Sequence, residues 1–162
     1  MDCYVGEGAG ARYLATRWPA LGSSLLASEV PLTGRWETVT LYLPLYDGLV
    51  SMELGVEPGA SILPPPAYSI EPPIVFYGSS ITQGGCASRP SNTYCALVSR
   101  WLDSDFRCLG FSGCAKGDLW MADYIAGLPM SCFVYDYDHN SPSPENLRQT
   151  HRPFLELSLI HI

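Results

Sequence analysis

Gly78-Ser79-Ser80-Ile81-Thr82-Gln83-Gly84-Gly85 is a run of small, mostly polar residues that directly follows an apolar stretch, Ile74 to Tyr77. A serine held in a tight turn there can present its oxygen to an acyl carbon and form a covalent intermediate once a base takes its proton. Either Ser79 or Ser80 could be that serine. Two later segments hold groups that such an intermediate needs. Gly110-Phe111-Ser112-Gly113 offers backbone N–H groups, and Asp136-Tyr137-Asp138-His139-Asn140 offers the side-chain amide of Asn140. N–H donors aimed at one point stabilise a developing oxyanion. Asp136, Asp138, His139 and His151 also admit a metal reading, because carboxylates and imidazoles near one loop suit zinc or manganese. The sequence singles out no third ligand, and no metal or cofactor is assigned.

These groups act together only if the fold brings their segments to one place. Ile74 to Tyr77 has the continuous apolar character of a buried parallel strand. A helix is expected over Tyr94 to Leu102, with Leu97, Val98, Trp101 and Leu102 on one face, then a strand over Phe106 to Leu109. A short helix over Leu119 to Ile125 and a strand over Cys132 to Tyr135 follow. A last helix runs from Glu145 onward, with Ser143 or Pro144 suited to its start. This alternation predicts a parallel sheet with helices on its faces, where ligands sit at the carboxyl ends of the strands. Each of the three segments leaves a strand at that end. Tyr94, Trp101 and Trp120 occupy helical positions expected to lie in the core. Arg89, just beyond the serine loop, is expected either to contact substrate or to tie that loop down.

Before the first of these strands the chain reads as β structure. Arg35 to Tyr46 and Val50 to Val56 partly alternate apolar and polar residues, and Asp47-Gly48 between them carries the turn signal of a hairpin. Pro64-Pro65-Pro66 and Pro72-Pro73 interrupt any ladder, so a boundary is expected between Pro64 and Pro73. The fold class is therefore α/β, with an N-terminal antiparallel, sandwich-like module over 1–66 and an α/β/α domain from 73.

Sixteen acidic residues against nine basic ones leave the 162-residue chain at a net charge of −7, so no basic face is available for nucleic acid. No apolar run approaches the roughly eighteen residues of a membrane span, and the N-terminus lacks the order of a signal peptide. Neither a nucleic-acid nor a membrane partner is predicted, and a cytoplasmic setting is slightly favoured. The six cysteines show no CxxC pair and are expected to be reduced and mostly buried.

In order and spacing, the three segments resemble the consensus blocks of the SGNH (GDSL-like) hydrolases. Gly78-Ser79-Ser80-Ile81 stands where that family has Gly-Asp-Ser-Leu, which puts Ser80 at the nucleophile and Ser79 in place of the aspartate. Gly113 matches the oxyanion glycine of the second block. Asn140 matches the oxyanion asparagine of the third, with His139-Asn140-Ser141 where the family has Gly-Asn-Asp. Phe76 to Pro90, with Leu41 to Ala60 upstream, is similar to the branch carrying an N-terminal β domain named for a Gly-x-Asp-Leu-Tyr motif. Met1-Asp2-Cys3-Tyr4 retains the Asp and Tyr of that motif. The resemblance reaches Glu156. It implies a flavodoxin-like SGNH domain, of which 73–156 is the first half. It also implies a serine esterase or acylhydrolase that acts on a small-molecule or carbohydrate ester, such as an acetyl ester, without a cofactor.

The family takes its base from a late Asp-x-x-His block, in which the histidine accepts the serine proton and the aspartate orients it. No such late block follows the third segment here. His139 adjoins the oxyanion asparagine, where the family places no base, and His151 lies inside the last expected helix. Leu157 to Ile162 reads as one frame of a widely used transposase sequencing adapter, so coding sequence is expected to end near Glu156 and His161 to carry no chemistry. The start is likewise expected to be internal, and the truncated chain to be inactive. The rival from another class is a non-catalytic carbohydrate-binding or interaction protein built on the β module.

Overall fold

The computed structural model describes residues 1–159; His161, with Ile160 and Ile162, lies outside the described residues. Three parallel strands form the sheet of the second half, in the order β5-β4-β6: β4 (Ile70–Gly78) in the centre, β5 (Ser104–Gly110) and β6 (Cys132–Asp136) beside it. A central strand covered on both faces must be apolar throughout, and Ile74, Val75, Phe76 and Tyr77 are all buried. Their side chains alternate between two cores. Val75 and Tyr77 pack with Met121, Ala122 and Ile125 of α3 (Leu119–Ala126) and Phe154 of α4 (Pro144–Ser158). Ile74 and Phe76 pack with Cys95 of α2 (Tyr94–Leu102) on the other face. The domain is thus a three-layer α/β/α unit. α4 starts as expected, with Pro144 in its first turn and the Ser143 hydroxyl accepting from the Asn146 N–H at 3.1 Å. β4 begins earlier than Ile74. Pro72 and Pro73 fall where its ladder to β5 shifts register, between Ile70 and Ile74, because proline donates no ladder hydrogen bond.

Two expectations about side chains need correction. α2 buries Cys95, Ala96 and Ser99, whose small size lets the helix lie close to the sheet, while Leu97 and Val98 are only half-buried. Trp101 and Trp120 are 66% and 68% exposed, so of the three aromatic residues placed in the core only Tyr94 packs there, edge-on to Phe76. The cysteines are not mostly buried either. Cys3 and Cys95 are, whereas Cys86, Cys108, Cys114 and Cys132 are exposed, and all six are free.

The N-terminal segment forms a second sheet, antiparallel, with β1 (Asp2–Val5) between β2 (Arg12–Thr16) and β3 (Val39–Tyr42). The hairpin expected at Asp47-Gly48 does not form. β3 pairs instead with β1, Pro44 follows it closely and withdraws a ladder donor, and Val50 to Val56 stays extended and exposed without a partner strand.

One side chain fastens this sheet to the α/β domain. The Asp2 carboxylate is fully buried; it accepts from the Thr16 hydroxyl at 2.7 Å and from the Ser91 backbone N–H at 2.8 Å, with Arg89 Nε 4.0 Å away. Beside it the Arg100 guanidinium of α2 lies 4.5 Å from the centre of the Tyr4 ring and 5.2 Å from that of Tyr42, a cation on two aromatic faces. Burial alone would push the Asp2 carboxyl up, but the hydrogen bonds from Ser91 and Thr16 outweigh it and hold it below its ordinary 3.8. Such a group adds stability above the unfolded-state value and loses it as pH falls through the lower folded-state value. Asp2→Ala leaves the buried Ser91 N–H unpaired, and urea unfolding at pH 7 should show a loss of about 2–4 kcal/mol. The difference between wild type and Asp2→Asn should shrink as the pH falls below 3.8.

Candidate active site

β4 ends at Gly78 and turns at once into α1 (Ser80–Gln83). The Ser79 hydroxyl caps this helix by accepting from the Ile81 N–H at 3.2 Å, and the residue is buried. A serine used as a cap has its oxygen turned into the turn. Ser80, the next residue, is half-buried, and its hydroxyl has no hydrogen-bond partner among the described residues. Its carbonyl accepts from Gly84 and Gly85 N–H at 2.9 and 2.8 Å, which closes the turn. α1 sits directly on the strand ends. A Cβ at Gly78 would collide with Thr82 Oγ1 and the Asp136 carbonyl, and one at Gly110 with the backbone of Gln83.

Hydrogen bonds join the three strand-end loops. Ser79 N–H donates to the Asp136 carbonyl at 3.2 Å, and Phe111 N–H to the Gly78 carbonyl at 2.9 Å. Asn140 Nδ2 donates to the Phe111 carbonyl at 3.0 Å, so the third loop is anchored on the second. Gly113 is exposed, at φ +71°. Among the described residues neither Ser80 N–H nor Gly113 N–H takes a backbone acceptor, and the Asn140 amide keeps a second hydrogen beyond the one given to Phe111. Donors of this kind are what an oxyanion requires.

Residues 71–157, more than half of the chain, match the model of the GDSL-like Lipase/Acylhydrolase family. The chain belongs to this family. A crystal structure of a protein from Bacteroides ovatus described as a GDSL-like lipase superposes with a TM-score of 0.84 at 30% identity, covering 99% of this chain and 47% of that one. The chain thus spans about half the length of that structure. A search of curated proteins found no match.

In this GDSL-like chain the residues around Ser80 are braced by groups that the sequence alone did not single out. Gln83, one helical turn after Ser80, uses both ends of its amide: Oε1 accepts from the Ser112 N–H at 2.9 Å, and Nε2 donates to the Leu45 carbonyl at 3.0 Å. It ties the Gly113 loop to α1 and both to the N-terminal segment. Thr82 Oγ1 meets the Tyr94 hydroxyl at 2.9 Å and lies 3.5 Å from the Asp136 carboxylate. Burial, with the charge of Asp138 adding to it, pushes the Asp136 carboxyl up. Gln83 and Thr82 stand in plain view inside the serine block, but their partners are 12 to 54 residues away, and only the fold supplies them.

Asp136-Tyr137-Asp138-His139 does have the Asp-x-x-His spacing, within the third segment itself. The geometry is different from that spacing. His139 Nδ1 faces its neighbour Asp138 at 3.7 Å, both side chains are more than half exposed, and no hydrogen bond links the imidazole to Ser80. His151 packs against Tyr135, ring centres 4.9 Å apart and planes tilted by 43°. No group of three or more His, Cys, Asp or Glu side chains gathers in metal-binding array among the described residues. Arg89 is held by protein groups: its Nε donates to Ser91 Oγ at 3.2 Å, Nη2 to the Tyr4 hydroxyl at 3.5 Å, and the guanidinium covers the Tyr13 ring at 4.1 Å. If Gln83 braces the second loop as drawn, Gln83→Ala should speed hydrogen exchange at the Ser112 amide about tenfold, with the protection of β4 unchanged.

Proposed function

We propose that this chain carries the nucleophile and oxyanion half of a serine ester hydrolase. The observation that supports it is the joining of the three strand-end loops into one hydrogen-bonded unit with an unpartnered Ser80 hydroxyl and uncommitted N–H donors at Ser80, Gly113 and Asn140. In the reaction, Ser80 Oγ attacks the ester carbonyl carbon while its proton passes to a base. The tetrahedral oxyanion is held by the N–H groups of Ser80 and Gly113 and the amide of Asn140. Collapse expels the alcohol, which takes up the proton, and water then releases the acid from acyl-Ser80. Ser79 serves as a helix cap and Arg89 as a tether for the serine loop.

The base is the part these residues do not provide, and we assign it to an Asp-x-x-His pair in sequence outside this half of the domain. A small acyl group such as acetyl on a carbohydrate or similar alcohol is the proposed substrate, which rests on the likeness of the N-terminal module to that of its branch. The 162-residue chain should show no measurable cleavage of a chromogenic acetyl ester. A chain extended through the Asp-x-x-His block should turn it over, lose that activity in Ser80→Ala, and lose about a hundredfold in Asn140→Ala. Activity untouched by Ser80→Ala would sink the nucleophile. Turnover by the short chain that disappears in His139→Ala would move the base to His139, and loss with a chelator would favour metal chemistry.

A further inference from the structure

Cys95 on α2 and Cys108 on β5 approach each other beneath α1 from two layers of the fold. Their sulfurs lie 3.6 and 3.3 Å from one acceptor, the carbonyl oxygen of Thr82. The last carbonyls of a helix have no partner within it, and in a helix this short the thiols supply one. The two cysteines differ in a useful way. Cys95 is wholly buried, whereas Cys108 lies on an edge strand and is exposed. Once Cys108 ionises, the Cys95 S–H can turn from Thr82 to its thiolate, and this outweighs partial burial to draw the Cys108 thiol down to about 7. The same interaction with Cys108, together with burial, pushes the Cys95 thiol up. An accessible thiol that ionises readily beside a protonated second thiol is the arrangement that favours stepwise oxidation.

We propose that Cys95 and Cys108 form an oxidation site at which a hydroperoxide converts the two thiols into a disulfide linking α2 to β5. The Cys108 thiolate attacks the terminal peroxide oxygen and the O–O bond breaks, leaving Cys108 as a sulfenic acid and releasing hydroxide or alkoxide, which is protonated. The Cys95 sulfur then attacks the Cys108 sulfur, the S–O bond breaks, and the oxygen leaves as water with the Cys95 proton. Two electrons pass from the thiols to the peroxide. Both S–H donors to Thr82 are consumed, so oxidation removes the side-chain hydrogen bonds at the end of the helix that carries Ser80. The proposal needs no base and stands independently of the ester-hydrolase reading.

The test treats the folded 162-residue chain with hydrogen peroxide, alkylates the remaining thiols with iodoacetamide, and cleaves with trypsin. Cleavage after Arg100 and Arg107 puts Cys95 and Cys108 on separate peptides. The expected product is one linked pair, Cys95 to Cys108, with Cys86 and Cys114 alkylated. In Cys95→Ser, Cys108 should stop at the sulfenic acid and be trapped by dimedone. Cys108→Ser, at an exposed position, should keep the fold and form no link. Without peroxide, alkylation of Cys108 should rise through about pH 7, and in Cys95→Ser it should rise at higher pH. Recovery of both cysteines in alkylated form after peroxide, or linkage of either to Cys86, Cys114 or Cys132, would overturn the proposal.

Discussion

Four residues are too few to form a helix on their own hydrogen bonds, so α1 exists because its surroundings fit it. Ser79 caps one end, and the amides of Gly84 and Gly85 close the other. Two thiols hold the carbonyl of Thr82. Beneath it, the absence of side chains at Gly78 and Gly110 lets the helix rest on the backbone of β4 and β5. Nothing in this arrangement has slack. A Cβ at either glycine would push α1 off the strand ends, and with it the Ser79 cap, the Gln83 brace and the position of Ser80.

The N-terminal sheet shares in that constraint. Gln83 reaches the Leu45 carbonyl, and the Tyr46 hydroxyl lies where a side chain at Gly85 would be. On the far side of the serine loop, Asp2 and Arg89 meet Ser91 and Tyr4. The loop is therefore clasped at both ends by the module rather than merely attached to it. A buried carboxylate is costly unless it is fully hydrogen-bonded, and Asp2 meets that condition only when the two sheets are together.

The parallel half was legible because its elements obey local rules. Strand runs of four residues, helical spacing over Tyr94 to Leu102, and Ser143 or Pro144 as a helix start placed β4, β5, β6, α2 and α4 close to where they lie. Ser80, Gly113 and Asn140 could be named from block order, and the structure puts each just beyond the end of a strand, though block order says nothing of which hydroxyl is free. The N-terminal segment was read poorly. Alternation over Val50 to Val56 looks like a strand, but pairing is a non-local choice, and β3 took β1 from the chain start instead of the nearer run. The exposure of Trp101 was hidden for a similar reason. Helical spacing tells which residues share a face, and the small trio Cys95, Ala96 and Ser99 offered the sheet a closer fit than the bulky one.

The bond between Asp2 and the Ser91 amide spans 89 positions. During synthesis, β1 leaves the ribosome with a carboxylate whose partner has not yet been made. β1 can pair with β2 early, but its buried charge stays hydrated until the serine loop and α2 have emerged, and β3 closes its other edge in between. Long-range closures of this kind are slow and come late. β1 is thus among the last elements to reach its final surroundings, and any defect in the serine loop will be felt 89 positions upstream.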